Sequence, residues 1–132
     1  MSLYVWNEAA QDVAVGGTLA LGSGMRCGTC VVQNGNGVTL NAPGLYRFEV
    51  SVTGTTDAAG VLTVEARVDG VAVPGATASE TVGVAGDLVS PSLAFMVRAD
   101  GCRCVSRPNV TLVNVGDAGS IENVAMTVTR VA

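Results

Sequence analysis

Alternation of apolar and polar side chains along short segments is the feature that most restricts the fold of this chain. One set of alternate positions between residues 45 and 52 is apolar: Tyr46, Phe48, Val50 and Val52. The same period of two recurs in segments 61–69, 93–98, 110–115 and 121–131. Because successive side chains of a β-strand point to opposite faces, this period predicts strands with one buried face. No segment of helical length has an apolar stripe with a period of 3.6 residues.

Turn-forming residues separate these segments. Asp69-Gly70 lies between two apolar runs, which is the spacing of a two-residue β-hairpin. Pro43-Gly44 marks a further break, and Gly116-Asp117 marks a turn in which we expect glycine to supply a positive φ. We count eight to ten strands at the spacing of a sandwich or barrel, without a linker or a change of composition. The sequence therefore predicts one all-β domain over residues 1–132.

The composition restricts both the core and the partners. Hydrophobic residues make up 48% of the chain but aromatic residues only 4%, so we expect a core of Val, Leu, Ala and Ile. Charged residues make up 14% and the net charge is −4, which argues against a nucleic-acid partner. No apolar run approaches the roughly 20 residues that span a bilayer, and no secretory signal begins the sequence. We therefore expect a chain made in the cytoplasm, with no membrane partner.

The segment from Gly37 to Val52, GVTLNAPGLYRFEVSV, resembles the signature of a known superfamily. Tumour necrosis factor and the globular head of the complement first component share an apolar strand, a Pro-Gly corner and then Leu-Tyr-x-Phe. The hairpin segment 66–75 and the closing strands 110–116 and 121–131 are similar to those of the same superfamily. The segment from Val13 to Gly22 is typical of short members encoded by phages and prophages.

This resemblance implies a jelly-roll β-sandwich that packs as a homotrimer. Leu45, Tyr46 and Phe48 then belong to the strand that forms core and trimer contacts, with Leu45 as the clearest outward apolar residue. Some members bind Ca²⁺ at the top of the trimer, where loop oxygens from Asp87, Asp100 or Asp117 could serve. The alternative is that these aspartates only stabilise turns.

Four cysteines form two close pairs, Cys27-Gly-Thr-Cys30 and Cys102-Arg-Cys104. Three alternatives stay open: reduced structural thiols, disulfides between the pairs, or a tetrahedral Zn²⁺ site made by four thiolates. A disulfide within Cys102-Arg-Cys104 would be strained. A redox centre is not favoured, because a Cys-x-x-Cys pair of that kind usually begins a helix and none is expected here.

The residue types present do not predict catalysis. The chain has no histidine, which removes the commonest general base and the commonest metal ligand. The carboxylates are spread along strand edges and turns without a close pair. Tyr4 and Trp6 on the first strand could stack on a sugar, although we expect them to cover the end of the core. The sequence thus favours a protein that assembles and binds.

Two functions follow from the resemblance. The first is a non-enzymatic phage or prophage structural protein on the virion surface, such as a capsid decoration or a head- or tail-fibre protein, with capsid or tail proteins as partners. The alternative is a bacterial surface or secreted module that recognises a host-surface glycan or protein. In the second case we expect recognition by segments 53–60, 76–87 and 116–120.

Overall fold

The computed structural model describes residues 2–100 and 107–132, which form two packed antiparallel sheets. Eleven strands are described: β1 (Ser2–Asn7), β2 (Gln11–Val13), β3 (Ser23–Cys27), β4 (Val31–Asn34), β5 (Gly37–Leu40), β6 (Gly44–Thr56), β7 (Gly60–Val68), β8 (Val71–Val82), β9 (Ser92–Ala99), β10 (Asn109–Asn114) and β11 (Gly119–Arg130). No helix capable of crossing a bilayer occurs in these two ranges. The predicted all-β class is confirmed.

The six-stranded sheet has the order β3-β1-β11-β6-β9, with β2 pairing to the start of β11. The five-stranded sheet has the order β4-β5-β10-β7-β8. Neighbours in both sheets are mostly distant in sequence, as the crossing connections of a jelly roll require. Short β2, with three residues, adds a strand beyond the predicted eight to ten because it is too short to show alternation.

The core fills the space between the two sheets and follows the predicted alternation. Tyr46, Phe48, Val50 and Val52 of β6 are buried, while Arg47, Glu49 and Ser51 between them face solvent. Phe48 stacks on Phe95 of the neighbouring strand, with ring centroids 4.8 Å apart and an interplanar angle of 7°. The remaining interior is almost entirely aliphatic, so β-branched and leucine side chains supply most of the buried area.

Two predicted turns differ in their physical basis. At the β7–β8 hairpin, Asp69 and Gly70 have φ values of 50° and 85°, and Val68 pairs with Val71 as predicted. Gly116 has no positive φ, so the reason expected for this glycine is wrong. A Cβ there would lie 2.5 Å from the carbonyl oxygen of Val61, so glycine is needed for a close approach of two backbones.

Asn114, at the end of β10, is fully buried and holds three segments together. Its side-chain amide donates to the carbonyl oxygens of Val13 and Asp117, and its Oδ1 accepts from the backbone N–H of Gly116. No buried side-chain polar atom of the described residues lacks a hydrogen-bond partner. The interior thus contains few polar groups, and each is satisfied.

Tyr46 places a titratable group in this interior. Its hydroxyl donates to the carbonyl oxygen of Ala42 over 2.6 Å. Burial raises the pKa of Tyr46 above its ordinary 10.0, and negative charge on Cys30 raises it further. Arg130 and the hydrogen bond to Ala42 act in the opposite direction on this pKa.

We predict that the free energy of unfolding falls at alkaline pH because of Tyr46. The raised pKa of Tyr46 means that the unfolded chain loses this proton first, so its contribution is complete below pH 10.0 and declines above it. The slope approaches about 1.4 kcal/mol per pH unit where only the unfolded form is ionised. Urea unfolding of wild type and Tyr46→Phe at several pH values measures the difference.

The Tyr46→Phe variant should also lose about 1 kcal/mol at neutral pH, since it lacks the hydrogen bond to Ala42. Tyr4→Phe is the control, because Tyr4 is exposed on β1 and should leave the alkaline decline unchanged. Parallel pH profiles for wild type and Tyr46→Phe would contradict the prediction.

Candidate functional site

The candidate site lies on the outer face of the six-stranded sheet. We use this name for the side of the sheet that is turned away from the core. Strand register places its side chains in rows that cross β1, β11, β6 and β9. One row contains Tyr4, Thr127, Glu49 and Ala94. The next contains Trp6, Ala125, Ser51 and Ser92. Small side chains therefore occupy the middle of the outer face.

These small side chains leave a cleft of about 420 Å³ that is open to solvent. It is lined by Glu49, Ser51, Ser92, Ala94, Ala125 and Thr127, together with the edges of Val50 and Leu93. A second hollow of about 120 Å³ adjoins it beside Arg47, Thr129 and Val131. A shallow, continuous depression of this kind suits a broad macromolecular contact better than an enclosed small molecule.

Apolar side chains border the cleft on two sides. Tyr4 and Trp6 stack on each other on β1, with ring centroids 5.0 Å apart and an interplanar angle of 27°. Met25 of β3 lies beside Tyr4, and Met96 of β9 lies at the opposite edge; both are exposed. The expectation that Tyr4 and Trp6 cover the end of the core is wrong, because Leu3 and Val5 take the inward positions of β1 and leave Tyr4 and Trp6 on the outer face.

The outer face has an ion pair on β6, toward the end of the sandwich that contains Arg130. Arg47 and Glu49 are two residues apart on β6, so both side chains point outward, and their charged groups lie 2.6 Å apart. Both side chains are about half exposed, so this pair contributes little stability in the isolated chain. It does place two charges of opposite sign where another molecule would meet them.

The structure separates the three residues expected in core and trimer contacts. Tyr46 and Phe48 point into the sandwich and are fully buried, so neither is available to another copy. Leu45 is half-buried, and its backbone pairs with Val131 and Ala132 near the chain end. A contact with another copy on β6 therefore has to use Leu45 and the outward positions such as Arg47 and Glu49, which sequence reasoning did not select.

The first cysteine pair spans the turn between β3 and β4. Cys27 is exposed at the end of β3, and Cys30 is buried just before β4, close to Tyr46. The two are not bonded to each other, and Gly28 between them has a φ of 89°. Cys102 and Cys104 lie outside the described residues, so the alternatives of thiol, disulfide and zinc site all stay open.

The aspartates considered for Ca²⁺ lie at different ends of the sandwich. Asp117 follows β10, and its Oδ2 accepts a hydrogen bond from the backbone N–H of Val61 over 2.8 Å. Asp87 lies in the β8–β9 loop at the same end, whereas Asp100 follows β9 at the opposite end. Within residues 2–100 and 107–132, no three His, Cys, Asp or Glu side chains form a group that could hold a metal ion.

The segments expected to recognise a ligand are partly strand. Residues 53–56 belong to β6 and residues 76–82 belong to β8, so the connections are shorter than predicted. Residues 53–56 and 76–82 consist mainly of small side chains, so they show no alternation of apolar and polar residues that would distinguish a strand from a loop. The connections 57–59, 83–91 and 115–118 lie together at one end of the sandwich.

No family model matches the sequence, and no curated protein matches it. Solved structures do match the fold. The Eiger tumour necrosis factor from S. frugiperda has a TM-score of 0.77 at 8% identity, over 100% of this chain and 92% of that chain. Murine APRIL has a TM-score of 0.72 at 10% identity, over 98% and 99%. The PRD1 vertex protein P5 has a TM-score of 0.55 at 12% identity, over 99% and 96%.

These likenesses extend over nearly the whole of each chain, and at such low identity they concern the fold alone. They confirm the resemblance that the Pro-Gly-Leu-Tyr-x-Phe segment indicated. The chain has a tumour-necrosis-factor-like jelly-roll fold.

We predict that the two described thiols differ in reactivity. In a Cys102→Ser/Cys104→Ser variant, a maleimide should modify Cys27 in the native state, because its thiol is exposed. Cys30 should react at least about tenfold more slowly, since it must first be uncovered by local opening. Mass spectrometry of peptides over a time course gives both rates. Equal rates in the folded protein would contradict the described Cys27–Cys30 turn.

Proposed function

We propose that this protein is a non-enzymatic, homotrimeric structural module of a phage or prophage particle, located on the virion surface. The observation that carries the proposal is the outer face of the six-stranded sheet, with its open cleft of small side chains bordered by Tyr4, Trp6 and Met96. A capsid decoration or a head- or tail-fibre protein is the role that we assign.

A second copy of the chain is the occupant that best fits this face. Small side chains at Ala94, Ala125 and Ser51 let another backbone approach closely, and the bordering aromatic and methionine side chains supply apolar contact area. Where the edge of one copy packs on the face of the next, a rotation of one third of a turn closes a ring of three. The likeness to tumour-necrosis-factor-like structures supports the same arrangement.

Two further observations support a structural role. The PRD1 protein with a similar fold is by name a vertex protein, which supports a structural role. The chain has no histidine. Among its described carboxylates, Asp117 accepts a hydrogen bond from backbone and Glu49 pairs with Arg47. These residues favour assembly over catalysis.

A bacterial surface or secreted binding module is the second candidate. The stacked rings of Tyr4 and Trp6 favour it, because an exposed aromatic face can pack on the apolar face of a sugar. The two candidates differ in what covers these rings: a second copy in the first, a host glycan in the second.

We predict that the wild-type protein is a trimer, with three times the chain mass of 13.2 kDa. The substitution Ala125→Arg should convert it to monomer, because a large charged side chain would enter the cleft and lose its water. An unpaired buried charge costs about 3 to 5 kcal/mol. Sedimentation equilibrium or native mass spectrometry measures the mass.

Thr77→Arg is the matched control, since Thr77 is exposed on β8 in the other sheet and the same side chain there should leave the trimer intact. A wild-type monomer at tens of micromolar would refute the trimer. Dissociation by Thr77→Arg alone, with Ala125→Arg still trimeric, would instead refute the outer face of the six-stranded sheet as the trimer contact.

We also predict that the protein co-purifies with phage particles. Cells carrying its gene in the native context are induced and lysed, and particles are banded on a density gradient. An antibody against the chain should detect it in the particle band, and the Ala125→Arg variant should leave that band. Recovery of the wild-type protein only from the free fractions, as a trimer, would exclude the virion role while keeping the trimer.

A further inference from the structure

Charge is distributed unevenly along the length of the sandwich. Strand β11 begins at Gly119 and ends at Arg130, and we use these two residues to name the two ends of the sandwich. Register places Arg47 beside Thr129, and Arg98 beside Leu45. All described arginines lie in the half nearer Arg130: Arg26, Arg47, Arg67, Arg98, Arg107 and Arg130. We call this half the arginine end.

The half nearer Gly119, which we call the acidic end, has the opposite character. Its carboxylates are Glu8, Asp12, Asp57, Glu80, Asp87, Asp117 and Glu122. None of the described arginines lies there. The arginine end has four carboxylates: Glu49, Glu65, Asp69 and Asp100. Among described residues, the acidic end has seven negative charges and the arginine end has a surplus of two positive charges.

The ion pairs do not remove this separation. Arg47 bonds to Glu49, and Arg67 bonds to Glu65 over 2.9 Å, so both pairs lie within the arginine end. The other four arginines described make no ion pair with any described carboxylate. Their guanidinium groups therefore keep their charge available for a contact outside the chain.

Each end also exposes apolar side chains beside its charges. At the acidic end, Val15, Val84 and Leu88 are exposed, with Val84 at 64% of its free surface. At the arginine end, Val71 is exposed at 71% and Val131 is also exposed. Apolar side chains surrounded by charges are the usual composition of a protein–protein contact, with a dry centre and a polar rim.

We propose that copies of this protein associate head to tail, with the acidic end of one copy docked on the arginine end of the next. The two ends are complementary in charge, and each has apolar side chains to bury. Because the contact joins two different surfaces of the same chain, it adds copies in one direction without closing a two-fold pair. The cleft of the outer face is not lined by Asp57, Asp87, Arg26 or Arg107 of the two ends, so the end-to-end contact can be tested separately from the trimer.

The first experiment measures association against salt. Wild-type protein is studied by sedimentation velocity and light scattering between about 20 mM and about 500 mM NaCl, where the Debye length falls from roughly 20 Å to roughly 4 Å. We expect larger species at low salt that dissociate to one constant size at high salt. That high-salt size reports the trimer separately. Failure of the trimer and failure of the end-to-end contact therefore give different results.

The second experiment reverses charge at one end at a time. One variant has Asp57→Lys and Asp87→Lys, and the other has Arg26→Glu and Arg107→Glu. Each variant alone should lose the low-salt species, because one of its two ends is no longer complementary. An equimolar mixture should regain an association of limited size, since the intact arginine end of the first variant meets the intact acidic end of the second.

The mixture also separates end-to-end docking from an effect of net charge. Asp57→Lys/Asp87→Lys removes the formal net charge of −4, so reduced repulsion alone would make this variant associate most strongly. Circular dichroism and the high-salt mass verify that both variants are folded. Wild-type protein of constant size at all salt concentrations would overturn the proposal.

A hexa-arginine peptide tests whether the acidic end instead binds a basic partner. Binding of this peptide without self-association of the protein would also overturn the proposal.

Discussion

The pairing of β6 with β11 is the contact on which the rest of the structure depends. The two strands are central in the six-stranded sheet and stay paired from Gly119–Thr56 to Arg130–Tyr46, with one irregularity between Ile121 and Asn123. This register decides which side chains of both strands enter the core and which lie on the outer face. A slip of one residue would bring Arg47 and Glu49 into the interior, so burial of Tyr46 and Phe48 fixes the register.

The outer face follows from the same register. Ala125 comes to lie beside Ser51, and Thr127 beside Glu49, so the small residues of two strands coincide and form a depression. Neither strand has a notable surface by itself. The depression exists only because β6 and β11 pair in this register. Its role is therefore tested by the mass of the oligomer and by association with particles, which report on the whole surface.

The sequence predicted the fold well because its signal is local. Alternation identified β6, β7, β9, β10 and β11, and Asp69-Gly70 identified the β7–β8 hairpin, since both depend on neighbouring residues. The outer face was not predicted, because Ala94, Ser51 and Ala125 are ordinary residues whose importance arises only when distant strands pair. Tyr4 and Trp6 were misplaced for a related reason. A core poor in aromatics suggested that they cover its end, whereas alternation with the buried Leu3 and Val5 puts them on the outer face. The charge separation between the two ends likewise needed the strand order.

Strand β8 has a consequence for handling the protein. It ends the five-stranded sheet, and its twelve residues from Val71 to Val82 are mostly exposed. A terminal strand of this length offers backbone N–H and C=O groups to any extended segment, which is how edge-to-edge aggregation begins. Pro74 and Gly75 interrupt the first half, but residues 76–82 contain only Glu80 as a charged residue. Concentrated or heated samples should therefore first associate irreversibly along this stretch, and a lysine at an exposed position there would protect them.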